Sequence, residues 1–242
     1  MRRHVLIKSG VEYEDYACNY YEGCQHGCKY CYSRLIKRWS YWRWVEHAQP
    51  VLDAVQLLEK DIAKLREKPK DIMVCSSTDP YQPLDRKYGL TRRILETFID
   101  AKLPFSVLTK GAEVIKDIAL FADYSNCRVG LTITTLNDDV RRHYEPYSSS
   151  VVKRLGALKK LHDAGVRTWV SVEPIFPSLK ETNPIDIIEV LADGIADEFV
   201  FGKLNYQSAP DDFYREIVPK IISKCQEIGV KFFVKRELRE LL

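Results

Sequence analysis

The feature that most constrains the fold is a unit that recurs along most of the chain: a short apolar run, a few polar residues, then a stretch with helical periodicity. Such runs are Ile72-Met73-Val74-Cys75 and Phe105-Ser106-Val107-Leu108, followed by residues 128–133, 167–172, 198–203 and 231–234. Helical spacing fills the gaps near 91–99, 113–121 and 151–164. Asn183-Pro184 reads as an N-cap followed by proline in the first turn, and Ser208-Ala209-Pro210-Asp211 resembles a capping box opening a last helix that Pro219 is expected to kink. The junctions Asp163-Ala164-Gly165-Val166 and Glu227-Ile228-Gly229-Val230 are near-copies: a helix end, a glycine cap and a strand start. Strands alternating with helices predict a parallel sheet with right-handed crossovers. With an earlier strand over 15–20, six or seven strands follow in order. The expected fold is α/β, a partial (β/α)6 TIM-type barrel, with a doubly wound sheet as the alternative. Length alone permits one large domain or two small ones; the expectation is one domain over 1–242, with a core at about 15–206 and a C-terminal helix and strand over 207–242.

The strands end in polar residues: Ser77 and Asp79, Lys110, Thr132 and Thr134, Glu173, then Lys203 and Asn205. In a β/α barrel these ends line one mouth, where active sites lie. The segment that follows the first strand opens at the same mouth. It reads Gly23-Cys24-Gln25-His26-Gly27-Cys28-Lys29-Tyr30-Cys31-Tyr32, a CxxxCxxC pattern. Three thiolates on one loop can grip one soft metal centre. Structural zinc sites and ordinary iron–sulfur clusters take four protein ligands, so three cysteines leave one iron of a [4Fe–4S] cluster open. The competing reading recruits Cys18 for a four-cysteine zinc site. Cys127 and Cys225 read as core residues.

Between Pro50 and residue 65, Val51, Leu52, Val55, Leu58, Ile62 and Leu65 have helical spacing, with Pro50 in the first turn. Before it, Arg34, Lys37, Arg38 and Arg43 are interleaved with Trp39, Tyr41, Trp42 and Trp44, a mixture suited to phosphates and unpaired bases. The net charge of +3 permits an anionic partner without demanding one. Seven cysteines, unevenly spaced, do not form a secreted disulfide framework. The start carries charge without an apolar signal core, and no run is long enough to span a bilayer, so a reducing cytoplasm is expected and a membrane is not.

CxxxCxxC with Tyr30 before the last cysteine resembles the signature of the radical S-adenosylmethionine (SAM) enzymes. Asn19-Tyr20-Tyr21-Glu22-Gly23-Cys24, Cys31-Tyr32-Ser33-Arg34 and Thr78-Asp79-Pro80-Tyr81-Gln82-Pro83 resemble its spore photoproduct lyase-like branch, a DNA repair lyase family. The resemblance runs from about residue 15 to about 206. It implies a [4Fe–4S] cluster on Cys24, Cys28 and Cys31, with S-adenosyl-L-methionine on the open iron. One electron from a ferredoxin or flavodoxin then cleaves SAM to methionine and a 5′-deoxyadenosyl radical, which takes hydrogen from a substrate. It further implies that Lys110 pairs with the SAM carboxylate and that Glu173-Pro174-Ile175 passes the adenine or sulfonium. Ser77, Asp79, Thr132 and Thr134 are candidates for the methionine or ribose portions, and Cys75 for returning a hydrogen atom to a product radical. Glu145-Pro146 and Arg154 match a family pattern that suits either a ligand set or a buried ion pair. No region resembling the lyase's substrate-reading parts follows the barrel, so the substrate stays open: a nucleic acid reached through the Arg34–Arg43 stretch, or a peptide or protein. The reading of another class is a zinc-stabilised nucleic-acid-binding module.

Overall fold

A computed structural model describes residues 3–177, 182–207 and 209–242. Its main sheet has eight strands. Strand β1 (Leu6–Lys8) runs antiparallel to β2 (Tyr16–Cys18). From β2 onward the neighbours are parallel and follow chain order: β5 (Ile72–Val74), β6 (Phe105–Thr109), β7 (Cys127–Thr132), β8 (Thr168–Ile175), β9 (Glu198–Lys203) and β10 (Lys231–Val234). A separate two-stranded ribbon pairs β3 (Tyr21–Glu22) with β4 (Gln49–Pro50). Each strand of the series hydrogen-bonds to the next one in the chain, which is the barrel order. A doubly wound sheet would reverse that order at a switch point. Among the described residues β1 and β10 are the edges, so the barrel is partial.

The strands are nearly continuous apolar runs because both faces are covered. Every residue of β7 is buried, and Val170, Val172, Phe199 and Phe201 of β8 and β9 are at most 1% exposed. Outside, helix Leu90–Asp100 buries Leu90, Ile94, Leu95 and Phe98, one stripe at helical spacing. Inside, Gly130 makes room for Trp169: a Cβ there would stand 2.4 Å from the indole, whose Nε1–H donates to the Val107 carbonyl at 3.2 Å. At the N-terminal end of the strands Arg128 closes the barrel, reaching Glu14 at 2.9 Å, Glu198 at 3.2 Å and Asp71 at 3.3 Å.

Helix starts follow the expected chemistry. The Asn183 side chain accepts from the Ile185 N–H and Pro184 opens helix Pro184–Leu191; the Ser150 side chain accepts from the Lys153 N–H at the head of Val151–Asp163. The glycines closing the two near-copy junctions, Gly165 and Gly229, have φ of +77° and +78°. Two expectations need correction. Pro50 lies in β4 rather than in a helix, and the helix is Ala54–Ile62. The last helix, Asp211–Ile228, runs through Pro219, with Pro210 at its N-cap; Ser208 of the expected capping box lies outside the described residues. The tryptophan-rich stretch forms its own helix, Tyr41–Glu46, capped by Ser40.

Candidate active site

The cysteine loop leaves β3 and crosses the C-terminal ends of the parallel strands. Two glycines allow its shape, Gly23 at φ +76° and Gly27 at φ +63°. A Cβ on Gly23 would lie 2.6 Å from the Trp44 carbonyl, and one on Gly27 would lie 2.7 Å from the Tyr41 hydroxyl. Backbone bonds pin the loop: Cys24 N–H donates to the Trp44 carbonyl at 3.0 Å, and Lys29 N–H to the Tyr144 carbonyl at 2.9 Å. The fully buried Gln82 clasps it from within, accepting from Gln25 N–H at 2.9 Å and donating to the Gly23 carbonyl at 3.3 Å.

One cavity at the mouth is lined by Cys24, Cys28 and Cys31 together with Cys75, Ser77, Asp79, Lys110, Thr132 and Glu173. Every strand-end candidate but one is therefore there. The exception is Thr134: it is buried but outside the lining, because β7 stops at Thr132 and the period-two alternation stops with it. Lys203 and Asn205 complete the far rim. Cys18 lies in the main apolar core below the mouth and is no part of the lining, which removes the fourth ligand of the zinc reading. Cys127 and Cys225 are buried core residues, as expected. Among the described residues no three His, Cys, Asp or Glu side chains close around a point as they would around one ion. The three thiols line one cavity.

Burial pushes the Cys28 thiol up to about 12 and raises Cys24 and Cys31 as well, while the Lys110 charge opposes the rise at Cys28 and Cys31. Binding a metal centre here must release protons. Burial works against the Lys110 charge, yet Cys28 and Glu145 hold its ammonium above the ordinary lysine value. Its Nζ has Thr132 Oγ1 at 3.4 Å and stands over the Tyr30 ring at 5.6 Å. Among the described residues no carboxylate is within ion-pair distance of it, so it is a cation aimed into the cavity.

Asp79 is committed elsewhere. Oδ1 accepts from Thr109 Oγ1 at 2.6 Å and Tyr81 N–H at 2.9 Å, and Oδ2 from Lys110 N–H at 2.8 Å. His26 Nε2 lies 3.2 Å from Oδ2, outside hydrogen-bond geometry. Burial alone would raise the Asp79 carboxyl; the His26 charge and these hydrogen bonds outweigh it and hold the group at about 2. Asp79 thus ties the end of β5 to the end of β6 and to the cysteine loop. Asn19 does the same for Ser77, accepting from its N–H at 3.0 Å and its hydroxyl at 2.8 Å. Glu173 accepts from Ser171 Oγ at 2.9 Å and pairs with Lys235 at 2.5 Å. Cys75 stands at the end of β5 with φ +58°; burial pushes its thiol up to about 12.

Glu145 and Arg154 form a buried ion pair at 2.5 Å, 0% and 1% exposed, outside the cavity. Tyr30 donates its hydroxyl to Glu145, and Arg154 also donates to the Thr132 carbonyl at 2.8 Å. Of the two readings this pattern allowed, the geometry is that of a support beneath the loop. The sequence reading passed over His26, Asn19, Gln82 and Lys235. Gln82 and Asn19 stood in the quoted motifs, and Lys235 follows β10, where the strand-end rule applies.

The basic and aromatic stretch lies on the outer side of the loop. Trp44 is buried and Trp39 packs edge-on against it at 5.9 Å. Arg43 and Lys37 stand over the Trp39 ring at 4.2 and 5.4 Å, so that ring is occupied by the chain's own cations.

The sequence model of the radical SAM superfamily matches residues 18–191. An uncharacterised protein of Methanocaldococcus jannaschii is 36% identical over 165 residues, 68% of this chain and 61% of that protein. An uncharacterised protein of Mycobacterium tuberculosis is 24% identical over 77% of this chain and 58% of its own length. The chain therefore spans less than two thirds of these two relatives. Among solved structures, spore photoproduct lyase in complex with dinucleoside spore photoproduct superposes with a TM-score of 0.71 at 16% identity, covering 97% of this chain and 80% of that one. SuiB of Streptococcus suis bound to S-adenosylmethionine superposes with a TM-score of 0.57 at 11% identity, covering 68% and 39%. At these identities both likenesses speak to the fold.

Proposed function

Because the chain belongs to the radical SAM superfamily, we propose that Cys24, Cys28 and Cys31 hold a [4Fe–4S] cluster, that the cavity takes SAM, and that the enzyme acts on a nucleic-acid substrate. The observation that carries this is the shared cavity: three cysteines of one loop, with Cys75 on a separate strand end, beside a half-buried lysine aimed inward. The donor chemistry fits the cluster, since thiolates are its usual ligands and a loop that supplies three of them leaves a position for SAM. When bound, the pair supplies one-electron cleavage of SAM to methionine and a 5′-deoxyadenosyl radical.

The protein's part is placement. Lys110 pairs with the methionine carboxylate as a charge-assisted contact. Ser77 donates to Asn19 and keeps its acceptor lone pairs for the SAM amino group. Thr132 offers its hydroxyl beside Lys110. Glu173, held by Ser171 and Lys235, would meet the adenine or sulfonium portion of SAM. Asp79, its oxygens already engaged, positions the Lys110 backbone and the loop rather than touching SAM. Cys75 keeps its proton at neutral pH, so it presents an S–H bond, the form that returns a hydrogen atom to a substrate radical. A primary-carbon radical attacks nearby C–H bonds with little selectivity, so substrate placement decides the outcome. Nucleic acid is favoured over peptide because the superposition on the lyase extends over 97% of the chain, against 68% for SuiB. Free cysteine ligands require a reducing compartment, and we assign the protein to the cytoplasm; among the described residues no helix is long and apolar enough to cross a membrane.

The test is to incubate the anaerobically reconstituted enzyme, SAM and a reductant with ultraviolet-irradiated thymidine oligonucleotides and with a peptide mixture, and to read both by mass spectrometry. The expected result is a SAM-dependent conversion of the irradiated oligonucleotides to species of the same mass, resolved by chromatographic retention and fragment pattern, with products that become scrambled or trapped in Cys75→Ala. Modification confined to the peptides would overturn the nucleic-acid assignment.

A further inference from the structure

The cluster loop has two faces. Its inner face lines the cavity where SAM and substrate must meet. Its outer face carries helix Tyr41–Glu46 and the preceding turn, none of whose side chains line the cavity. An electron reaching the cysteine-held centre while substrate fills the mouth must therefore come from outside, and the structure offers a short route. Trp42 is 59% exposed and packs edge-on against Tyr41, with ring centroids 5.5 Å apart. The Tyr41 hydroxyl donates to the Gly27 carbonyl at 3.0 Å, and Gly27 is bonded to Cys28. Ile36, 58% exposed, adds apolar surface nearby. Between residues 29 and 47 stand Lys29, Arg34, Lys37, Arg38 and Arg43 against one carboxylate of that stretch, Glu46, with Glu22 reaching Lys37 at 3.9 Å from the neighbouring ribbon.

We propose that this outer face, centred on Trp42 and rimmed by Lys37, Arg38 and Arg43, is the docking surface for an acidic, low-potential electron-transfer protein. The proposal rests on the reading of Cys24, Cys28 and Cys31 as ligands of a redox centre. One electron leaves the docked donor, which is oxidised, and enters that centre, which is reduced by one. Electron-transfer complexes use small interfaces with an apolar centre and a charged rim, and complementary charge steers their encounter. The same cations would serve a nucleic acid only with open ring faces to stack on. Trp39 has its ring occupied by Arg43 and Lys37 and Trp44 is buried, which leaves Trp42 as the open tryptophan of the stretch, one platform where successive bases need several, so the face suits an acidic protein better.

The experiment compares the reconstituted wild type with Lys37→Glu/Arg38→Glu and with Trp42→Ala. Three quantities are read: the Kd for an acidic flavodoxin by calorimetry, the Kd for a fluorescent single-stranded oligonucleotide, and 5′-deoxyadenosine formed with reduced flavodoxin or with dithionite. Both variants are expected to weaken flavodoxin binding at least tenfold and to lower flavodoxin-driven turnover correspondingly, with dithionite-driven turnover unchanged. Wild-type binding should weaken as salt rises. Unchanged flavodoxin affinity in both variants would overturn the inference, as would loss of oligonucleotide binding alone, which would assign the face to nucleic acid. Wild type that yields no 5′-deoxyadenosine even with dithionite would fail the redox reading itself, a result separable from a docking failure.

Discussion

Arg154→Met should lower stability by about 3–5 kcal/mol, the usual cost of leaving one charge of a buried pair alone. Arg154 and Glu145 are 1% and 0% exposed and 2.5 Å apart. Without the guanidinium, Glu145 must take up a proton or stay ionised without its main partner, and the Thr132 and Ser149 carbonyls lose donors at 2.8 and 2.9 Å. The Glu145 carboxyl lies below its ordinary value: burial would raise it, and the charges of Arg154 and Lys110 reverse that. The loss is therefore greatest above the ordinary carboxylate pKa and shrinks as acid protonates Glu145. Because Tyr30 hangs from Glu145, the variant should also bind iron less completely. Urea midpoints for Arg154→Met and for Arg154→Met/Glu145→Leu give the check. The double variant should recover most of the loss, since an apolar pair of similar volume replaces the ionic one. A single-variant cost below about 1 kcal/mol, the range of exposed pairs, would show that the pair is no support for the loop.

Lys110→Met should leave the cluster intact and weaken SAM binding at least tenfold. A hydrogen bond to a charged group contributes about 1.5–3 kcal/mol, and a factor of ten is about 1.4 kcal/mol. Met keeps most of the side chain's length and removes the ammonium, with its contact to Thr132. The ammonium's present neighbours are a hydroxyl and an aromatic ring, so the variant leaves no carboxylate stranded among the described residues. Calorimetric titration of the reconstituted variant with SAM, together with its visible absorption spectrum, separates the effects. A normal cluster spectrum with unchanged SAM affinity would remove Lys110 from the site.

Much of the architecture was legible because buried parallel strands read as unbroken apolar runs. The runs at 198–203 and 231–234 coincide with β9 and β10. Strand ends were legible too, since a polar residue after such a run has only the mouth to face. That rule failed at Thr134, where it assumed a strand that had already ended at Thr132. Pro50 was misplaced because a two-residue strand has no periodicity to detect; only its partners Tyr21 and Glu22 across the ribbon define it. Helix Tyr41–Glu46 was hidden by its composition. Its six residues put Trp44 into the core and Trp42 into solvent, but so short a stretch cannot display a helical stripe. The support network was the least legible part. Asn19, Gln82 and Asp79, and Glu145 toward Tyr30, act across separations of tens of residues, and only the fold brings these partners together.

The measurement that bears most directly on the account is 5′-deoxyadenosine production. The protein is purified without oxygen, reconstituted with iron and sulfide, and mixed with SAM and dithionite, beside Cys28→Ala treated in the same way. The account predicts a brown protein that forms 5′-deoxyadenosine and methionine, with colour diminished and product absent in the variant. A colourless wild type that retains zinc, or a product yield equal in the variant, would contradict it.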